Sequence, residues 1–140
     1  MPKVRSSEMA DYTPEQPLVK GWYDARIVDA KTDTFNGIEK LLVNLLLQGG
    51  PDQPDSEQVI ENRQISDFIQ LEGLGTMKDK GRFLKKKFYG LAEAAGMEIS
   101  DNGDFDPDEL IESVVEVHLV QNTNPNSGEV ENRIDRYRRA

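Results

Sequence analysis

The chain has 140 residues, with 17 lysines and arginines against 26 aspartates and glutamates, a formal net charge of −9. That length is enough for one domain with its own core, and the acidic balance argues against tight, sequence-blind binding to duplex DNA. With no cysteine and a single histidine, His118, disulfides, thiolate metal sites and multi-histidine metal sites are excluded; no apolar run nears the ~18 residues of a membrane span, no secretory-type apolar stretch opens the chain, and a cytoplasmic protein is expected.

Residues 1–19 carry Pro14 and Pro17, many polar groups and no period, so they are expected to form an arm ahead of a domain over 20–140. "KGWYDARIVDA" then alternates at period two, the mark of a strand. Tyr23, Ala25 and Ile27 fall on one face, and Trp22, Asp24, Arg26 and Val28 on the other. Asn36-Gly37 follows between two strand-like runs, and both residues tolerate positive φ, which predicts a tight hairpin. The run "IEKLLVNLLLQ" (38–48) taken alone could be helical, but the preceding Asn-Gly and the following "GGP" favour a strand with Leu41, Val43, Leu45 and Leu47 inside. "GGPDQPDS" (49–56) is a loop, and 57–72 reads as a third strand, bent near Ser66 and Asp67.

After "GLGT" the period changes. Leu84, Phe88, Leu91 and Ala95 recur at steps of four, three and four, predicting a helix from Met77 to Ala95 that Gly96 ends. Lys85, Lys86 and Lys87 are expected near solvent, off that stripe. "DFDPDELIES" opens a short helical turn, 113–122 is a strand, "TNPNSG" is a turn, and "EVENRIDRYRR" is the last strand. Three strands, a helix and two strands match a mainly β fold, the five-stranded Greek-key barrel called the OB-fold, with its helix between strands three and four. A different small α+β sheet fits the same order.

Catalysis finds little support. The nucleophile-elbow, phosphate-loop, zinc-protease and dinucleotide patterns are all missing, and His118, between Val117 and Leu119, is expected on the outer side of its strand without a catalytic partner. Residues 98–109 partly follow a calcium-loop spacing, with Gly103 and Glu109 in register, but a glutamate opens the loop and Pro107 interrupts it. An acidic loop is the better reading, and neither a metal nor a cofactor is expected. Asp101, Asp104 and Asp106 lie on that one loop, which also disfavours a metal-assisted nuclease. No enzyme activity is expected.

Charge is segregated: 78–90 and 133–139 are basic, while 51–57 and 98–113 are acidic. Unpaired nucleic acid is held by flat side chains that stack on bases and cations that follow phosphates. Trp22 and Arg26 lie on the face of the first strand opposite the core, and Tyr137 shares a strand face with Arg133 and Asp135. Phe35 flanks the hairpin turn with Lys31 nearby, whereas Phe68 and Phe88 are expected in the core. The nucleic-acid-binding candidates are therefore Trp22, Arg26, Lys31, Phe35, Arg133 and Tyr137.

"KGWYDARIVDAKTDTFNGIEKLLVNLLL", the helix end "GLAEAAGM" and the closing "NPNSGEVENRIDRY" resemble phage-encoded single-stranded-DNA-binding proteins of the small OB-fold type. The matching elements are Gly21 and Tyr23, Ala95 and Gly96, and Asn132, Arg133, Ile134 and Tyr137, over about residues 20–138. The resemblance implies sequence-tolerant binding of single-stranded DNA in replication or recombination, inside a bacterial host, alongside replication or recombination proteins and with room for a homo-oligomer. Many bacterial single-strand binders end in an acidic recruiting tail; this chain ends "RYRRA", so recruitment of that kind is not expected. The competing reading is an acidic interaction module or DNA mimic that binds a basic protein.

Overall fold

The structure, a computed structural model, describes residues 16–54 and 59–140. The expected arm over 1–15 and the expected start of the third strand at residues 57 and 58 lie outside the described residues. Among the described residues the chain forms strands β1 (Gly21–Phe35), β2 (Ile38–Gly49) and β3 (Gln64–Gln70), helix α1 (Asp79–Ala95), then β4 (Val114–Thr123) and β5 (Val130–Arg139). The strands make one antiparallel sheet in the order β3-β2-β1-β4-β5. No described helix is long and apolar enough to cross a membrane.

The hairpin joining β1 to β2 turns at Asn36 and Gly37, whose φ values of 51° and 78° are those of the expected two-residue turn. Alternation then sets the core. Tyr23, Ala25 and Ile27 face in from β1, as do Leu41, Val43, Leu45 and Leu47 from β2 and Val115, Val117 and Leu119 from β4. Leu18, in the last part of the expected arm, is buried with them. Asn132 brackets its backbone, accepting from the Leu18 N–H at 2.7 Å and donating to its carbonyl at 2.8 Å.

Three irregularities break the alternation. Val28 is an extra residue in β1 and Gln48 in β2, so Ala30 joins the core beside Ile27. The third matters most for function. His118 pairs with Arg136 but Leu119 pairs with Ile134, leaving Asp135 as a bulge in β5. A one-residue bulge exchanges the two faces of a strand. Ile134 and Tyr137 consequently point inward, while Arg133, Arg136 and Arg138 point outward. Tyr137, expected on an open face with Arg133, is only 6% exposed.

Helix α1 packs chiefly on β5 and ends at Gly96, in the left-handed conformation at φ 74°, with the Met97 N–H returning to the Ala92 carbonyl at 2.8 Å. Leu91 and Ala92 are buried, and Phe88 packs on the core edge against Phe105, their ring centroids 4.9 Å apart. Lys87, expected near solvent, is buried instead. It stands three residues after Leu84 and four before Leu91, within the inward stripe. Burial is tolerated because its ammonium meets Asp67 Oδ1 at 2.8 Å, while Tyr137 donates to Asp67 Oδ2 at 2.6 Å. These three side chains fasten the two edge strands, β3 and β5, to the helix. Burial pushes the Tyr137 phenol well above its ordinary pKa, and the Asp67 charge and hydrogen bond push the same way. The Asp67–Ile69 phase of β3 also corrects Phe68. It was expected in the core, but it lies between the two inward residues and is 54% exposed.

Candidate nucleic-acid interface

Because β3 and β5 are the edges of the sheet, the ground between them is covered by α1 and not by another strand. Two clefts open there. One, of about 590 Å3, is lined by Lys40, Phe68, Lys80, Phe83, Arg133 and Asp135. The other, of about 540 Å3, lies between α1 and β5 and is lined by Phe83, Lys86, Tyr89, Glu93 and Arg136. Phe83 borders both. Phe68, Phe83 and Tyr89 are each about half exposed. Phe68 also meets Phe35 of the hairpin edge-to-face, at 6.3 Å between centroids, so the aromatic path reaches the turn.

The charge balance in these clefts differs from that of the whole chain. Lys40, Lys80, Lys86, Arg133 and Arg136 form no ion pair among the described residues. Of the carboxylates present, Asp67 is committed to Lys87, Asp135 accepts from His118 Nδ1 at 2.7 Å, Glu131 accepts from the Asn124 amide at 3.1 Å, and Glu93 forms no ion pair among the described residues. Free cations therefore border exposed aromatic faces, although acidic residues dominate the chain.

A second cluster lies on the outer face of β1, β4 and β5. Cross-strand pairing puts Trp22 beside His118, His118 beside Arg136, and Glu116 beside Arg138. The Arg138 guanidinium lies over the Trp22 ring, 3.9 Å from its centroid, and that of Arg136 lies at 5.3 Å. His118 packs on the indole at 5.1 Å and is buried beneath it, so its expected outer-face position holds without its being open to solvent. Arg138 Nε donates to Glu116.

The sequence candidates divide among these surfaces. Arg133 lines the first cleft, and Phe35 joins it through Phe68. Trp22 belongs to the outer cluster. Arg26 is tied to Glu112 at 3.1 Å, and Lys31 is exposed on β1 without lining either cleft. Tyr137 is withdrawn as a stacking platform: its hydroxyl belongs to Asp67, and its ring is inside. Sequence reasoning missed Phe68, Phe83, Tyr89, Lys40 and Lys80. A local signal existed for Phe83 and Tyr89, which fall outside the Leu84–Phe88–Leu91 stripe.

Among the described residues, no three acidic or histidine side chains are gathered so as to hold a metal ion. Compared with known proteins, the chain matches no family model and no curated protein.

Proposed function

We propose that the protein is a noncatalytic, sequence-tolerant binder of single-stranded DNA acting in phage replication or recombination. The carrying observation is the juxtaposition of exposed Phe35, Phe68, Phe83 and Tyr89 with cations that form no ion pair among the described residues along the β3–β5 ground. Aromatic faces accept any base, each stacked base contributing about 1–3 kcal/mol, so a few platforms suffice without a large positive net charge. The phage setting rests on the sequence resemblance. The strand order is compatible with an OB-type reading as well: β3-β2-β1-β4-β5 is the order that a five-stranded Greek-key barrel would have if opened between its third and fifth strands. In this reading α1 and the Lys87–Asp67–Tyr137 contact close the seam that backbone hydrogen bonds would otherwise close.

The test is an anisotropy titration of labelled oligothymidine over a range of salt, beside a duplex of equal length. Five cleft cations on a single strand predict a slope of log affinity on log salt of about −3.5. Single strands should bind more tightly than duplex, and Phe68→Ala or Phe83→Ala should weaken binding. Binding of duplex and single strand alike would remove the proposal. So would no binding at low salt, and capture of a basic protein would then favour the acidic interaction module.

A further inference from the structure

We infer that Trp22 is a shelf presenting Arg136 and Arg138 as a second, phosphate-binding subsite for the same strand, and that a base does not stack on it. This rests on the single-strand reading and extends the path beyond the clefts. The indole is already occupied. Arg138 covers it at 3.9 Å, Arg136 stands at 5.3 Å, and His118 packs at 5.1 Å with its plane tilted by 59°. A base could stack only by displacing a guanidinium.

The same contacts fix what the guanidiniums can do. Arg138 spends its Nε proton on Glu116, and its terminal nitrogens make no hydrogen bond among the described residues. Its side chain is half exposed. Arg136 is exposed and has no ion partner among the described residues. A guanidinium held flat on an aromatic ring, with one edge anchored to a carboxylate, keeps its remaining fork of donors in a set direction. Such a fork suits a phosphate, and holding it in advance reduces the entropy lost on binding.

The floor beneath is rigid. His118 is buried and bonded to Asp135 at 2.7 Å, and the bulge at Asp135 is what turns both arginines to this face. The subsite is also continuous with the first, because Arg136 lines the α1–β5 cleft as well as approaching Trp22. Along β5, Arg133 to Arg138 spans roughly 16 Å at ~3.3 Å per residue. That is about five phosphate-to-phosphate steps at ~3.4 Å spacing in a stacked strand. A strand must therefore exceed about five nucleotides to engage both ends.

The experiment is a length series of oligothymidine from about 4 to about 16 nucleotides, titrated against the full chain and its Arg138→Ala, Trp22→Phe and Trp22→Ala variants, with far-UV circular dichroism to verify folding. In the parent chain, affinity should rise about tenfold once the oligonucleotide passes the two-subsite length, roughly one charge-assisted contact. Arg138→Ala should lose most of that gain and flatten the salt slope by about 0.7. Trp22→Ala should behave like Arg138→Ala, whereas Trp22→Phe, which keeps a ring under the guanidinium, should retain most of the gain. The emission of Trp22, the sole tryptophan, should change with long oligonucleotides and not with the shortest. If Arg138→Ala keeps the full gain, or if Trp22→Ala weakens binding with the salt slope unchanged, the shelf is wrong while single-strand binding stands. Failure of every length to bind would overturn the single-strand reading and this inference together.

Discussion

Replacing Lys87 by methionine tests what fastens β3 and β5 to α1. The side chain is 7% exposed and its Asp67 partner 8%, with 2.8 Å between the charges. Methionine keeps the length and apolar stem but removes the cation, leaving the Asp67 carboxylate buried with one remaining donor, the Tyr137 hydroxyl at 2.6 Å. Breaking a buried pair on one side costs about 3–5 kcal/mol. The surviving Tyr137 bond argues for the lower end, and at roughly 3–4 °C per kcal/mol for a domain of this size the melting temperature should fall by about 10 °C. The neighbouring exposed Lys86→Met should stay within about 0.5 kcal/mol of the parent. Adding Asp67→Asn to Lys87→Met removes the stranded charge and keeps an acceptor for Tyr137, so most of the loss should return. A double-mutant cycle in urea, cross-checked by thermal melts, reads the coupling, expected at about 2 kcal/mol or more. If Lys87→Met unfolds together with Lys86→Met, the pair does not hold the β3–β5–α1 junction and the reasoning fails.

Tyr137→Phe should cost about 1.5–3 kcal/mol at neutral pH, since Asp67 loses a hydrogen bond to a charged group. Because the folded phenol is held above its unfolded pKa of about 10, its contribution is complete below that pH and is lost as pH climbs toward the raised folded value; urea melts on either side of pH ~10 should show an alkaline decline that is shallower in Tyr137→Phe. Gly81→Ala should destabilise by about 1–3 kcal/mol, because an added Cβ would lie 2.1 Å from the Leu74 carbonyl oxygen; an unchanged urea midpoint would contradict that contact. Phe68→Ala and Phe83→Ala, both on exposed rings, should weaken oligothymidine binding by about 1–3 kcal/mol each with melting temperatures nearly unchanged, so a fall in stability without a fall in affinity would assign these rings to packing.

Much of the architecture was legible because its causes are local. Asn36-Gly37 announces its turn through the φ values it tolerates, and the alternation of 23, 25 and 27 against 41, 43, 45 and 47 announces two strands sharing a core. Gly96 marks the helix end by the left-handed conformation it adopts. The candidate site was legible only in part. Arg133 and Phe35 border the cleft path, but Tyr137 was placed on the wrong face and Phe68 on the wrong side of β3. The first error follows from the bulge at Asp135, which shifts the phase of β5, and the second from expecting a charged residue such as Asp67 to face out. Asp67 faces in, and it does so because Lys87 and Tyr137 from distant segments neutralise and bond it.

By itself, the sequence determined most of which segments extend, which one coils and where the chain turns, since period, turn chemistry and capping act over a few residues, though the strand read over 57–72 extends only over Gln64–Gln70 among the described residues. Only the tertiary structure decided which face each side chain of β5 presents, because the extra residue at Asp135 shows itself in the pairing with β4 and nowhere in the composition of the strand. That single shift sends Tyr137 to the core and turns Arg136 and Arg138 outward over Trp22. A bulge depends on what the neighbouring strand offers, and a residue's own neighbours in sequence cannot report it.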